Sequence, residues 1–381
     1  MGAVRIYEVS LRDGLQNEAG VVSTEHKAEL ARRLVDAGFK DVEFGSFVSP
    51  RYVPQMADTD ELFQLLPKDR GVRWWALVPN SRGLDRSLDA GVSHIATFMS
   101  ASETHNLKNV NRTVRESLAG LRKVIATARA EENRVRSYIS TVYGCPYEGD
   151  VDPQKTVDLA LALLDAGADE IALGDTTGVG TPLQVQDVIG RLVDAGVPLD
   201  RIACHFHDTQ GTAVANAFAA WQAGIRQFDG SLGGIGGCPY APGASGNVAT
   251  EDVVYLLEGL GLDTGVNLDR LIDAGNSISR MPRRRAPEPG SGTQPGWEQR
   301  TNVPDCESVR ANGYAVLLPG PAYRRKCPQT DSVLPGNPPG PLISDCAATQ
   351  TGRVSEGDQR RHALRFPEPA PGLRTTVSGN R

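Results

Sequence analysis

The chain has 381 residues, 23% of them charged, and a formal net charge of -6, enough for one large domain with material to spare. That balance gives no reason to expect nucleic acid, and no apolar run is long enough to cross a membrane. Cys145, Cys204, Cys238, Cys306, Cys327 and Cys346 contain no C-x-x-C pair, so neither a disulfide framework nor a structural zinc site follows. The first residues enter a strand pattern without a charged-then-apolar leader, so a soluble, cytoplasmic protein is expected.

Strand-like and helix-like segments alternate. Residues 4–11 read as a strand and 24–37 as a helix, with Ser23 or Thr24 as N-cap and Gly38 just past its end. Further strands are expected at 41–48, 72–78 and 94–99, then a long charged helix at 113–130 and a strand at 135–143. A helix at 153–166 has Pro153 in its first turn, where the missing N–H costs nothing. Strands at 170–173, 202–206 and 227–232 then alternate with helices at 182–195, 212–223 and 250–260.

A refrain supports this register: Asp36-Ala37-Gly38, Asp89-Ala90-Gly91, Asp165-Ala166-Gly167, Asp194-Ala195-Gly196 and the variant Gln222-Ala223-Gly224. Each ends a helix on a glycine suited to the left-handed conformation that releases the chain toward the next strand. Eight such units in about 260 residues predict a (β/α)8 TIM barrel. A doubly wound open sheet competes, but no G-x-G-x-x-G follows the first strand.

The character changes after Ser279. Residues 1–279 carry 25 basic and 37 acidic side chains, residues 280–381 carry 15 and 9, and 15 of the 25 prolines fall in the second part. We expect a barrel domain over 1–279 and a disordered, Pro/Arg/Gly-rich tail over 280–381. A shifted reading frame would also produce such a tail, and a small irregular second domain is the competing reading.

Catalytic residues of a parallel barrel sit at the C-terminal ends of its strands. Those ends carry Arg12, Asp13 and Gln16, then Glu43 and Ser46, then Asp175 and Thr176, then His205 and His207. Period-two alternation puts both histidines on one face. With Asp13 and the carboxamide of Asn247 they form a mixed N/O set that suits Mg²⁺ or Mn²⁺ better than a thiolate-rich zinc site. Arg12 would be a fixed cation beside that metal, oriented by Glu43 through a bidentate pair. Taken alone, Arg-Asp-Gly also reads as a turn, Glu43 as a surface charge and a single barrel histidine as a hydrogen-bonded core residue. A glycine-rich loop, residues 233–247, carries Cys238 and Asn247 and has the length of an active-site lid.

Residues 4–279 resemble 3-hydroxy-3-methylglutaryl-CoA lyase, of the metal-dependent lyase barrel group that includes the isopropylmalate and homocitrate synthases. The resemblance rests on Leu11-Arg12-Asp13-Gly14-Leu15-Gln16-Asn17-Glu18, Ser46-Phe47-Val48-Ser49-Pro50, Tyr143-Gly144-Cys145-Pro146-Tyr147-Glu148-Gly149, Gly174-Asp175-Thr176, His205-x-His207-Asp208-Thr209 and the glycine loop. It implies Asp13, His205, His207 and Asn247 as metal ligands, Arg12 as enolate stabiliser with Glu43 beside it, and Cys238 as the catalytic loop cysteine. His205 is the favoured base, Asp175 a further catalytic candidate, and Gln16, Ser46 and Thr176 candidates for binding substrate. The chain departs at Gln210, where the family usually has tyrosine, and wholly after Ser279.

The implied reaction is cleavage of an acyl-CoA, 3-hydroxy-3-methylglutaryl-CoA, to acetoacetate and acetyl-CoA. Loop closure would bring in Cys238 to protonate the enolate and exclude water. A homo-oligomer, a dimer, is expected, without nucleic acid or membrane partners. A Claisen-type enzyme condensing acetyl-CoA with a 2-oxo acid is the first alternative, disfavoured by the Cys238 loop. A non-catalytic binding protein on the same barrel is the second.

Overall fold

The computed structural model describes residues 2–16, 18, 20–237, 246–278 and 283–285. Eight parallel strands close into a barrel: β1 (Arg5–Glu8), β3 (Asp41–Ser46), β4 (Arg73–Leu77), β5 (His94–Ser100), β6 (Arg134–Ser140), β7 (Glu170–Asp175), β8 (Ile202–Phe206) and β9 (Gln227–Gly230). β9 pairs back onto β1 with Arg5 opposite Gln227 and Tyr7 opposite Asp229, which rules out the open sheet. Outside the barrel, β2 (Gly20–Val22) pairs antiparallel with β10 (Arg283–Arg285). The tail expected from residue 280 otherwise lies outside the described residues.

The surrounding helices are α1 (Thr24–Ala37), α2 (Thr59–Leu65), α3 (Ser81–Asp89), α4 (Glu103–Val110), α5 (Val114–Ala130), α6 (Pro153–Asp165), α7 (Pro182–Asp194), α8 (Ala213–Gln222), α9 (Thr250–Gly259) and α10 (Leu268–Ile278). None of the described helices is long and apolar enough to cross a membrane. The caps follow from residue type. Ser23 caps α1 by accepting from the His26 N–H, and Thr113 and Glu116 form a reciprocal capping box on α5. The glycines of the refrain, Gly38, Gly91, Gly167, Gly196 and Gly224, all have positive φ, between 83° and 110°. A side chain there would be strained, and at Gly38 a Cβ would come within 2.2 Å of the Gly265 carbonyl oxygen.

Two packing layers result. Apolar faces of strands and helices, with Leu30, Leu34, Phe44, Ile95 and Leu163 fully buried, form the main core between sheet and helix ring. The barrel interior is different. Leu77, Ala96, Tyr138, Ala172 and Ala203 form one apolar cluster and Tyr7, Val9 and Trp75 another, but charged side chains lie between them.

The first strand ends at Glu8, short of the expected residue 11, because Ser10–Gly14 forms a π-helical turn in which the Gly14 N–H donates to the Val9 carbonyl at 3.2 Å. Glu8 pins that turn. Its fully buried carboxylate accepts from the Ser10 N–H at 2.9 Å, the Leu232 N–H at 3.1 Å and the Thr250 hydroxyl at 2.6 Å. One side chain thus ties the end of β1 to both flanks of the glycine loop. Burial pushes its pKa up to about 7, against the lowering by the hydrogen bonds from Thr250 and Ser10.

The folded state therefore favours the protonated Glu8, so its contribution to stability is complete below about pH 4.5 and is lost as pH rises through about 7. Glu8→Gln keeps an acceptor without the charge. Relative to the parent it is expected to gain on the order of 3 kcal/mol in unfolding free energy between about pH 5 and about pH 8. Urea denaturation at the two ends of that window measures the difference, and a pH-independent difference would remove Glu8 ionisation from the account.

Candidate metal centre and active site

The π-helical turn is the local device that builds the site. Such turns recur at functional positions because the extra residue per turn re-aims side chains. Here it turns Arg12 and Asp13 over the barrel mouth. Arg12 Nε donates to Glu43 Oε1 at 2.9 Å and Arg12 Nη2 to Glu43 Oε2 at 3.2 Å, a bidentate pair. The Tyr138 hydroxyl donates to the same Glu43 Oε2 at 2.7 Å, and the Arg12 guanidinium also pairs with Asp13. Burial works against the charge on Arg12, but Asp13 and Glu43 outweigh it and hold its pKa above the ordinary arginine value. The guanidinium is a permanent cation in fixed orientation.

From the end of β8, His205 and His207 face Asp13. His205 Nε2 lies 3.8 Å and His207 Nε2 4.0 Å from Asp13 Oδ2, and the three ligand atoms lie within 4.8 Å of one another. Asn247 bridges backbone to backbone with His207 and donates from Nδ2 to Asp13 Oδ2 at 2.9 Å. Its Oδ1 is buried and has no hydrogen-bond partner. The separations of the Asp13, His205 and His207 atoms let all three stand about 2.0–2.6 Å from one shared cation. Burial would raise the pKa of Asp13, but Arg12, His205 and His207 hold it well below the usual carboxylate range. Burial, and then His205, lower His207 to about 4, which leaves its imidazole neutral. An ionised carboxylate, a neutral imidazole and an orphaned amide oxygen fit a hard divalent cation.

The site has a supporting layer that the strand-end search did not reach. Asp229 Oδ2 lies 3.1 Å from His205 Nδ1 and sets that ring so that Nε2 faces Asp13. Asp229 also binds Arg136, which is fully buried in the barrel and lies 3.2 Å from Glu170. Glu170 in turn pairs with Arg5 at the opposite end. The Arg136 guanidinium sits 3.8 Å from the Tyr7 ring centroid and 4.9 Å from that of Tyr138. The available signal was a charged residue at an inward position within an otherwise buried strand, as at Arg136 and Asp229.

The other expected residues are placed as follows. Asp175 at the end of β7 is fully buried and accepts from the Val179 and Gly180 N–H groups at 3.1 and 3.0 Å, holding the following turn. Burial raises its pKa to about 6 despite those bonds. The Ser46 hydroxyl accepts from the Val48 N–H at 3.3 Å. The Thr176 hydroxyl accepts at 3.1 Å from the N–H of Thr141, a β-branched residue held at φ 59°. Gln16 is half-buried just past the π-helical turn. Cys238 lies outside the described residues. The two flanks of its loop are described: the Asn247 N–H donates to the Gly236 carbonyl at 3.0 Å, and a Cβ on Gly236, at φ 104°, would lie 2.7 Å from both Asn247 Nδ2 and the Asp13 carbonyl oxygen. Only glycine allows this approach of the loop to the ligand set.

Comparison with known proteins places the chain as a whole. The family model HMGL-like matches residues 3–278. A hydroxymethylglutaryl-CoA lyase of Bacillus subtilis is 46% identical over 284 residues, 74% of this chain and 95% of that protein. A 3-hydroxy-3-isohexenylglutaryl-CoA/hydroxy-methylglutaryl-CoA lyase of Pseudomonas aeruginosa is 47% identical over 275 residues, 72% and 91% of the two chains. The crystal structure of the Bacillus subtilis HMG-CoA lyase superposes with a TM-score of 0.72 at 45% identity, covering 76% of this chain and 97% of that one.

Asp229→Asn keeps the size of the side chain but removes the charge that orients His205. It is expected to weaken Mn²⁺ binding 10- to 100-fold, in line with other partners of ligating histidines. Calorimetric titration with Mn²⁺ tests this, and unchanged affinity would free His205 from dependence on Asp229.

Proposed function

The chain belongs to the HMGL-like family, and on that premise we propose that it cleaves 3-hydroxy-3-methylglutaryl-CoA to acetoacetate and acetyl-CoA. The observation that carries this reading is the convergence of Asp13, His205 and His207 beside the Arg12–Glu43 pair. The lyase names of its relatives support it, and no observation favours the condensation reading.

A divalent cation, Mg²⁺ or Mn²⁺, held by Asp13, His205, His207 and Asn247 would lower the pKa of the substrate's C3 hydroxyl. His205 accepts that proton on Nε2, because its Nδ1 is committed to Asp229, whose charge stabilises the resulting imidazolium. One lone pair serves one partner, so the residues that would hold the cation while His205 acts as base are Asp13, His207 and Asn247. As the hydroxyl proton leaves, the oxygen's electrons form the ketone of acetoacetate and the C2–C3 bond breaks. Its electron pair becomes the enolate of acetyl-CoA.

The enolate's charge rests on the thioester oxygen, where the Arg12 guanidinium stabilises it. Glu43 and Tyr138 keep that guanidinium from turning as the charge moves. Cys238 is assigned the last step, in which its thiol gives a proton to C2 and becomes a thiolate. That assignment rests on its place in the chain between two flanks held against the metal ligands. Gln16, Ser46 and Thr176 are assigned to substrate, and Asp175 to the turn that shapes the same rim.

The purified chain with Mn²⁺ or Mg²⁺ should release acetoacetate from 3-hydroxy-3-methylglutaryl-CoA, and EDTA should abolish the release. A folded, metal-loaded protein that yields none would overturn the proposal. Arg12→Lys keeps the charge but loses the planar fork, so turnover should fall roughly 10²–10³-fold with KM little changed. Cys238→Ser should lower turnover while leaving Mn²⁺ affinity intact, since the thiol is no part of the ligand set; normal turnover would take it out of the mechanism.

A further inference from the structure

Two of the metal ligands come from stretches far apart in sequence. Asp13 sits on the π-helical turn after β1 and Asn247 on the return of the glycine loop, and they meet through the 2.9 Å bond from Asn247 Nδ2 to Asp13 Oδ2. The turn rests directly on the first flank of the loop, where a Cβ on Gly14 would lie 2.8 Å from both Ser231 Oγ and Ile235 Cγ1. Backbone bonds join the first flank to the second, from the Ser231 N–H to the Val248 carbonyl and from the Thr250 N–H to the Ser231 carbonyl, each at 3.1 Å.

At this junction lies the fully buried carboxylate of Glu8. Its three donors belong one each to three segments: Ser10 to the turn, Leu232 to the first flank and Thr250 to the second. Ser10 stands three residues before Asp13, and Thr250 three residues after Asn247. All three donors are neutral, and Glu251, a charge that acts on Glu8, has the same sign. A buried carboxylate without a countercharge is costly, so it is a poor device for stability alone. A fully hydrogen-bonded one rigidifies the segments it joins. Glu8 takes no part in the chemistry assigned to the site, and its place between the two ligand-bearing stretches gives it a different task.

We propose that Glu8 is a positioning residue of the metal centre: it brackets Asp13 and Asn247 and keeps the rim turn and both loop flanks in one register. With the bracket intact, the two ligands stand together before a cation arrives. Without it, the segments shift independently, and the apparent affinity falls in proportion to the fraction of chains in which they still align. The proposal rests on the metal reading of the site and not on the lyase reaction.

The test compares Glu8→Ala, Glu8→Gln and Thr250→Val in the full chain, by calorimetric titration with Mn²⁺ and by hydrogen exchange without metal. Glu8→Ala removes all three bonds and should weaken Mn²⁺ about tenfold or more. Glu8→Gln still offers an acceptor to the two N–H groups and should stay within about threefold of the parent. Thr250→Val keeps the shape and removes one donor, so it should weaken Mn²⁺ about threefold or more. It should also speed exchange in residues 9–14, far from Thr250 in sequence. Should Glu8→Ala fail to fold, Thr250→Val decides alone. Thr97→Val breaks a buried hydroxyl pair with Ser137 between β5 and β6, and as the control for mere destabilisation it should leave both readings at the parent's values. An exchange response confined to the neighbourhood of Thr250 would overturn the proposal. So would unchanged Mn²⁺ affinity in Thr250→Val, Glu8→Gln as weak as Glu8→Ala, or an equal loss in Thr97→Val. A parent chain that binds no Mn²⁺ would overturn the metal centre and this proposal with it. One that binds Mn²⁺ but yields no acetoacetate would remove only the lyase reading.

Discussion

A charge at the centre of the barrel sets the terms for everything above it. Arg136 is fully buried, and an isolated cation there would cost several kcal/mol even after relaxation. Asp229 and Glu170 neutralise it, and the faces of Tyr7 and Tyr138 flank it. The arrangement is self-consistent, because each partner would be equally costly alone. Glu170 also pairs with Arg5 toward the opposite end, and Asp229 with His205 toward the mouth. An apolar replacement of the whole group would serve stability as well or better. It would not serve His205, whose ring is set by the carboxylate that Arg136 holds in place.

The upper part of the site repeats this logic. Glu43 is fully buried and accepts from two Arg12 nitrogens and from the Tyr138 hydroxyl. Tyr138 also lies against the Arg136 guanidinium, so a single phenol borders both buried arginines. Neither arginine can relax without disturbing the same ring. Rigid support of this kind is what electrostatic stabilisation of a developing charge demands, since donors that must reorient forfeit part of their effect.

Much of the fold was legible in the sequence because it is written in repeats. The Asp-Ala-Gly refrain marks helix ends by a backbone requirement, and the alternation it punctuates admits few closures other than eight units. The cluster of Asp13, His205 and His207 was legible for a related reason, since strand ends meet at one rim, whereas at Ser46, Asp175 and Thr176 the same signal marks side chains that hold backbone N–H groups. Arg136, Asp229, Glu170 and Arg5 escaped notice because an inward charge inside a strand looks, one residue at a time, like a break in an apolar pattern. Its meaning appears only when strands distant in sequence are laid side by side. The pairing of Gly20–Val22 with Arg283–Arg285 was illegible for a simpler reason, since three residues are too few to show a period. The early end of β1 was hidden because a π-helical turn shares its residue types with an ordinary one.

The glycine loop leaves and rejoins the barrel at almost the same point. The Asn247 N–H bonds to the Gly236 carbonyl, and the Asn247 amide reaches Ile235 and Asp13. The positions that join the ligand set to the loop are therefore fixed independently of what lies between Gly237 and Gly246. Lengthening such a closed span costs little, because the entropy of closing a loop grows only with the logarithm of its length. Insertions and substitutions there need not move Asp13 or Asn247. The length of chain between the two anchors and the geometry at the rim are therefore separate variables, free to change at different rates.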